Sequence, residues 1–245
     1  MYHNYLKMQL LLNKKGEAIL QGTEEWHFAR MNRFSASKID KIIPGTTKAS
    51  KDAFKNYVTE KAYGSFQEVP IVKPQFNAIR RGQMLESEAR LEFLRQYGII
   101  PETMPIIEAN ELFNVGKCYL DEHCPIHLIS PDGWNEKDNF GTEFKVAEEV
   151  AKYSRFCQYV ADAASLKEFD KQYYWQVMDS IMCSGANYWW FAYYLPEMKR
   201  GYDIKAVKIY PVDEDMKLLR QSLVDATELY KQIYSKIEQT FKKSV

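Results

Sequence analysis

Apolar positions change their period twice along this 245-residue chain. Residues 23–66 follow a helical spacing in short runs. Trp26, Ala29 and Arg33 share one helical side, and Ser35-Ala36-Ser37 is placed to cap a following helix over 38–43, which Pro44-Gly45 ends. A further helix is expected over 51–63, then a loop over 65–74 containing Pro70 and Pro74. A longer helix is expected over 76–97, with Leu85, Ala89 and Phe93 as its apolar stripe and Gly98 as its stop. The middle of the chain switches toward a period of two. Residues 104–108, 112–120, 126–130 and 141–146 are rich in Ile, Val, Phe and Tyr and are expected to be strands. Helical segments return at 147–168 and 170–184. Asn187–Leu195 is apolar or aromatic on both faces, the mark of a central buried strand, and another strand is expected over 203–210. From about Pro211, residues Met216, Leu219, Leu223, Ala226, Tyr230, Ile233 and Ile237 recur at steps of three and four. They form a helical seam that docks on the rest of the chain or on another subunit.

This order predicts an α/β domain, a central mixed and mostly antiparallel sheet flanked by helices. It divides into a helical part over about 22–100, a sheet over about 101–210 and a C-terminal helix over about 212–242. The length suits one elaborated domain. Hydrophobic residues make up 46 % and charged residues 27 % of the chain, an ordinary globular balance. No apolar run approaches the roughly 18 residues of a membrane span, and the short stretch at Leu10–Leu12 lacks a signal cleavage pattern. A cytoplasmic protein is expected. The four cysteines, Cys118, Cys124, Cys157 and Cys183, form no CxxC pair, so reduced buried thiols are expected. Asp121-Glu122-His123-Cys124 with His127 could supply soft metal ligands together with Cys118, but their spacing matches no zinc pattern, which favours an ordinary turn with incidental polar residues.

Net charge is zero. Within 26–65, however, Arg30, Arg33, Lys38, Lys41, Lys48, Lys51, Lys55 and Lys61 face only Asp40, Asp52 and Glu60. A basic lobe beside an acidic remainder suits a phosphate backbone held near an acidic metal centre; a solvated helix surface has the same composition.

The strongest chemical signal is Ser130-Pro131-Asp132-Gly133 followed, eleven residues after Asp132, by Glu143-Phe144-Lys145. On a strand Glu143 and Lys145 project to one side and Phe144 to the other. Asp132 and Glu143 offer hard oxygens that suit Mg²⁺, with Mn²⁺ as a substitute, and the Phe144 carbonyl is a further candidate ligand. Lys145 can orient the attacking water or neutralise charge on the phosphate. The spacing alone also fits exposed charges on an edge strand. Glu86 can complete the metal shell, directly or through water, or pair with Arg90 at i,i+4. Gln176 sits on a strongly apolar helix, where its amide needs a partner.

Together, these blocks are similar to the YqaJ-like viral recombinase family, the family of phage lambda exonuclease, within the PD-(D/E)XK nucleases. The matching segments are Trp26-His27-x-x-Arg30 with Ser35-Ala36-Ser37, Arg81-Gly82-x-x-x-Glu86-x-x-Ala89, Ser130-Pro131-Asp132-Gly133, Glu143-Phe144-Lys145 and Tyr174-Trp175-Gln176-Val177. Trp190-Phe191-Ala192-Tyr193-Tyr194 and Met198-Lys199-Arg200-Gly201 follow in order. The likeness covers about residues 22–235, while the first 20 residues and 148–169 find no counterpart. The resemblance implies a restriction-endonuclease-like fold and metal-dependent 5′-to-3′ digestion of one strand of linear double-stranded DNA. The resulting 3′ overhang would serve phage-type recombination with a single-strand-annealing protein. It implies Asp132, Glu143 and Lys145 as catalytic, with Glu86 and Gln176 in support, and Arg30, Ser37 and Ser130 as a pocket for the 5′-terminal phosphate. It also implies a homo-oligomer, a trimeric ring around DNA. An endonuclease or repair nuclease of the same fold and a catalytically inactive DNA-binding module are the alternatives. An iron–sulfur cluster is disfavoured, because no cysteine precedes Cys118.

Overall fold

A computed structural model describes residues 8–71, 77–101 and 103–242. Pro74 and the first residue of the expected 76–97 helix lie outside them. The described strands form two four-stranded sheets, ordered β1-β3-β4-β2 and β5-β6-β7-β8. The first contains β1 (Met8–Leu10), β2 (Phe34–Ser35), β3 (Tyr119–Asp121) and β4 (Cys124–Ile129); the second contains β5 (Gly133–Asn135), β6 (Phe140–Val146), β7 (Tyr188–Tyr194) and β8 (Ile204–Ile209). Both are mixed: β2 runs parallel to β4 and β6 runs parallel to β7, and the remaining pairs are antiparallel. The chain crosses from one sheet to the other between Ile129 and Gly133, the segment that carries Ser130 and Asp132.

The helices are α1 (Glu24–Met31), α2 (Lys48–Gly64), α3 (Asn77–Gln96), α4 (Ile106–Glu111), α5 (Val150–Tyr159), α6 (Ala163–Phe169), α7 (Lys171–Ser184) and α8 (Asp213–Lys242), with a 3-10 helix over Ala36–Ile42. Thr23 starts α1 by accepting the Trp26 N–H, and Asp170 starts α7 by accepting those of Gln172 and Tyr173. Gly98, at φ +66°, follows α3 as the sequence suggests.

The parallel β6–β7 pair sits inside the second sheet, so both strands meet side chains on both faces. Trp189, Phe191 and Ala192 are fully buried, which bears out β7 as a central strand. Gly141 on β6 faces Trp189, whose ring would lie only 2.1 Å from an added Cβ. The absent side chain therefore makes the room for the indole. On the opposite sheet face, Phe144 packs with Ala89 and Phe93 of α3, and the two Phe rings are 5.6 Å apart. The α8 seam docks within the chain, on α2, the 3-10 helix and α7; six of its seven residues are buried and Ile233 is partly so.

Several expected elements differ. Residues 106–111 are helix rather than strand, and the strand over 112–120 shrinks to Tyr119–Asp121 because Gly116 takes a left-handed turn at φ +60°. The helix over 147–168 divides at Asp162, where Asp162 and Ser165 form a reciprocal capping box that starts a new helix. Ser35 occupies the cap position of the 3-10 helix without a side-chain bond. Cys157 is exposed, whereas the other three cysteines are buried; all four are unpaired. No described helix is long and apolar enough to cross a membrane.

Candidate active site

The candidate residues arrive on α1, the 3-10 helix, α3, the crossover before β5, β6 and α7, and they converge. Arg30, Ser37, Glu86, Ser130, Asp132, Glu143, Phe144, Lys145 and Gln176 line one cleft of about 350 Å³. A larger groove of about 620 Å³, between α8 and β4, is mostly apolar and holds none of them.

At the floor, β6 turns Glu143 and Lys145 to the same side, and Lys145 Nζ donates to Glu143 Oε1 at 2.5 Å. Gln176 Nε2 donates to the same oxygen at 2.6 Å, which gives the buried amide the partner it needs. Asp132, just before β5, accepts the Phe144 N–H through Oδ2 at 2.7 Å. That bond ties the sheet crossover to the middle of β6. Glu86 on α3 pairs with Arg90 at 2.8 Å and also faces the cleft, so the intrahelical pair and the placement at the site coexist.

Three carboxyls thus share a largely dry space. Asp132 and Glu143 are 5 % and 2 % exposed. Burial, and then the neighbouring Asp132 charge, pushes Glu143 up to about 7; burial and the same charge push Glu86 up to about 8. Burial also raises Asp132, against the opposing pull of Lys145 and the Phe144 N–H. Burial alone would lower Lys145, but Glu143 and Asp132 outweigh it and hold the ammonium above its ordinary range. Carboxyls that line one cleft and repel one another suit a hard divalent cation, whose charge would relieve that repulsion.

The other end of the cleft is cationic. Arg30 Nη2 donates to Ser37 Oγ at 2.7 Å, and its guanidinium carbon lies 4.2 Å from the Trp26 ring centroid. Trp26 Nε1 donates to Ser130 Oγ at 2.9 Å. One indole thereby links the three residues expected to hold a phosphate. Among the described residues, no carboxylate lies within ion-pair distance of Arg30. Of the basic lobe, Lys38, Lys48, Lys51 and Lys55 are exposed, whereas Lys61 is turned inward onto the Arg30 carbonyl at 2.9 Å.

Sequence reasoning missed Trp26 and Tyr173 as parts of this site. Lys145 Nζ and Lys152 Nζ each lie 5.2 Å from the Tyr173 ring centroid. The available signal was spacing: Trp26 precedes Arg30 by four residues and Tyr173 precedes Gln176 by three, so each shares a helix face with a candidate residue.

A scan against family models matches the YqaJ-like viral recombinase domain over residues 25–187. The chain belongs to this family. The matched span contains every candidate residue named above. Among solved structures, an alkaline exonuclease from Laribacter hongkongensis, LHK-Exo, superposes with a TM-score of 0.70 at 18 % identity, covering 91 % of this chain and 100 % of its own. The same enzyme in complex with dAMP gives 0.71 at 16 % identity, with coverage of 91 % and 100 %. A phage-related exonuclease from Haemophilus somnus 129PT gives 0.60 at 14 % identity, covering 84 % and 96 %. At these identities the likeness establishes a shared fold. No curated protein matches the chain.

Proposed function

We propose that this YqaJ-family chain is a metal-dependent deoxyribonuclease that digests linear double-stranded DNA from its 5′ ends and leaves 3′ single-stranded overhangs. The observation that carries the reading is the single cleft, acidic at one end and cationic at the other, that Asp132, Glu143, Lys145 and Arg30 share. The exonuclease names of proteins with this fold support it.

Asp132 and Glu143 would hold Mg²⁺, or Mn²⁺ in its place, with the Phe144 carbonyl and Glu86 as further oxygen donors. Such an ion, when bound, supplies positive charge to the scissile phosphate and acidifies a water. The side chains do the rest. Gln176 fixes Glu143 Oε1. Lys145, anchored beside that carboxyl and over the Tyr173 ring, presents an ammonium to the attacking water and to charge that builds on the phosphate. Arg30 brings a forked donor to the 5′-terminal phosphate, and the Ser37 and Ser130 hydroxyls add neutral donors. A 5′-terminal phosphate held there would leave the first internucleotide bond toward the acidic end of the same cleft; the 5′-to-3′ polarity itself is the expectation that the family resemblance carries. The exposed lysines of α2 and the 3-10 helix would track the duplex backbone.

The family reading carries further expectations: a ring of three copies around the duplex, a single-strand-annealing partner for the overhang, and action in the cytoplasm of a bacterial or phage-infected cell. Digestion of linear duplexes labelled at either the 5′ or the 3′ end, in Mg²⁺, tests the reading. Early release of the 5′ label as mononucleotide is expected. Internal cuts in closed circles would instead identify an endonuclease, and a gel shift without cleavage would identify a binding module.

A further inference from the structure

The Asp121–His127 stretch does not assemble its own neighbours into a metal site. Cys124 Sγ lies against Thr227 Oγ1 at 3.5 Å, and His123 contributes its backbone N–H to Asp121 Oδ1 at 2.9 Å. Cys118 packs in a separate apolar cluster with Ile19 and Leu128. Its place is taken by Cys183, brought from α7 across 56 residues of sequence.

His127 Nδ1 lies 3.1 Å from Asp121 Oδ2 and 3.5 Å from Cys183 Sγ. The three donor atoms all fall within 4.8 Å of one another. Zinc bond lengths of about 2.0–2.3 Å at tetrahedral angles put N and O about 3.4 Å apart and N and S about 3.6 Å apart. The observed separations agree with that frame to a few tenths of an ångström. On the far side of the ring, His127 Nε2 meets Asp179 Oδ2 at 2.9 Å. A carboxylate in that position fixes the imidazole tautomer and orientation behind a bound metal. The second oxygen, Asp179 Oδ1, is buried with no hydrogen-bond partner. His127 and Asp179 are fully buried, and Cys183 is 1 % and Asp121 4 % exposed.

We propose that Asp121 Oδ2, His127 Nδ1 and Cys183 Sγ are ligands of a structural zinc ion, with Asp179 positioning the imidazole. This centre is separate from the acidic cleft: a thiolate and an imidazole select a softer metal than three carboxyls do. Asp121 also lines the 620 Å³ groove, which provides a route for the ion and for a water in the fourth position. Binding expels two protons to solvent, one from the Cys183 thiol and one from His127 Nδ1, while the Nε2 proton stays on the ring and is donated to Asp179 Oδ2. The ion joins β4 to α7. Because Asp179 is three residues beyond Gln176 on α7, the zinc centre anchors the helix that presents Gln176 to Glu143. Without metal, the same side chains form an imidazolium held between two carboxylates, and that is the competing outcome.

The test uses the full chain, free of any histidine tag, purified under reducing conditions from zinc-supplemented cells. One zinc per chain is expected by elemental analysis, and Asp179→Asn should weaken zinc affinity by about 10- to 100-fold. Titrating Co²⁺ into chelator-treated chain should produce a near-ultraviolet thiolate-to-cobalt charge-transfer band. Cys183→Ser should lose the band, and Asp132→Asn should keep it, so a failure of this centre is distinguishable from a failure of the nuclease reading. Circular dichroism checks that Cys183→Ser is folded; if it is not, the wild-type metal content and cobalt band decide alone. A wild-type chain with no zinc and no band would overturn the proposal, as would an equal band in a folded Cys183→Ser chain.

Discussion

Replacing Lys145 by Ala removes the ammonium of the acidic cleft while leaving its metal-binding oxygens in place. A unit charge about 4 Å from the charge that develops on the phosphate, at an effective dielectric near 20, is worth about 4 kcal/mol. That corresponds to about a 10³-fold loss of rate, close to the cost of deleting one preorganised donor in other enzymes. The fold should tolerate the change. Glu143, already pushed up to about 7, takes a proton when its partner leaves, so no bare buried charge remains. Single-turnover digestion of a 5′-labelled linear duplex measures the effect, with a gel-shift assay as the control for retained DNA binding. Lys145→Ala should bind DNA and cut about 10³-fold more slowly. Gln176→Ala should be less than additive with it, because both side chains donate to the same Glu143 oxygen. Cutting within a few-fold of wild type by a folded Lys145→Ala chain would refute the assignment.

Three other perturbations test separate parts. Arg30→Ala should slow digestion of 5′-phosphorylated ends by at least about tenfold more than that of 5′-hydroxyl ends; equal slowing would remove Arg30 from the phosphate pocket. Gly141→Ala drives a methyl into the buried Trp189 ring and should destabilise the chain by about 1–3 kcal/mol or more in urea unfolding, a result that an unchanged midpoint would contradict. In the metal-free chain, Glu143 and Glu86 are raised to about 7 and about 8, so the folded state holds protons that the unfolded state has released. Their contribution therefore becomes less favourable as pH rises from about 4.5 through 8, and Mg²⁺ should restore what is lost. Melting temperatures taken in chelator and in Mg²⁺ across that range would show it, and a metal-free chain that grows more stable toward pH 8 would argue against it.

The chemistry of the cleft was legible because it rides on strong local patterns. The alternation of Thr142, Glu143, Phe144, Lys145 and Val146 shows which side chains share a strand face, and an amide on an apolar helix face calls for a polar partner, which Gln176 finds in Glu143. The misreadings have physical causes. Ile106 and Ile107 mimic a strand by composition, yet the short segment closes as a helix through Glu111. Strands β1 and β2, of three and two residues, are too short to show any period. The Asp162–Ser165 capping box was present in the sequence as Asp-x-x-Ser, but without the usual acidic partner it resembled ordinary helix interior. What one chain could not reveal is long-range assembly. Nothing local links Cys183 to His127, or Ser130 to the Trp26 indole, until the sheet crossover and α7 bring them together.

The central claim is that Asp132 and Glu143 hold a divalent ion beside Lys145. Anomalous diffraction from a Mn²⁺-soaked crystal tests it most directly. An anomalous peak about 2.0–2.2 Å from oxygens of both carboxyl groups is the expected result. A cleft without such a peak, in a crystal of active protein soaked at saturating Mn²⁺, would contradict it.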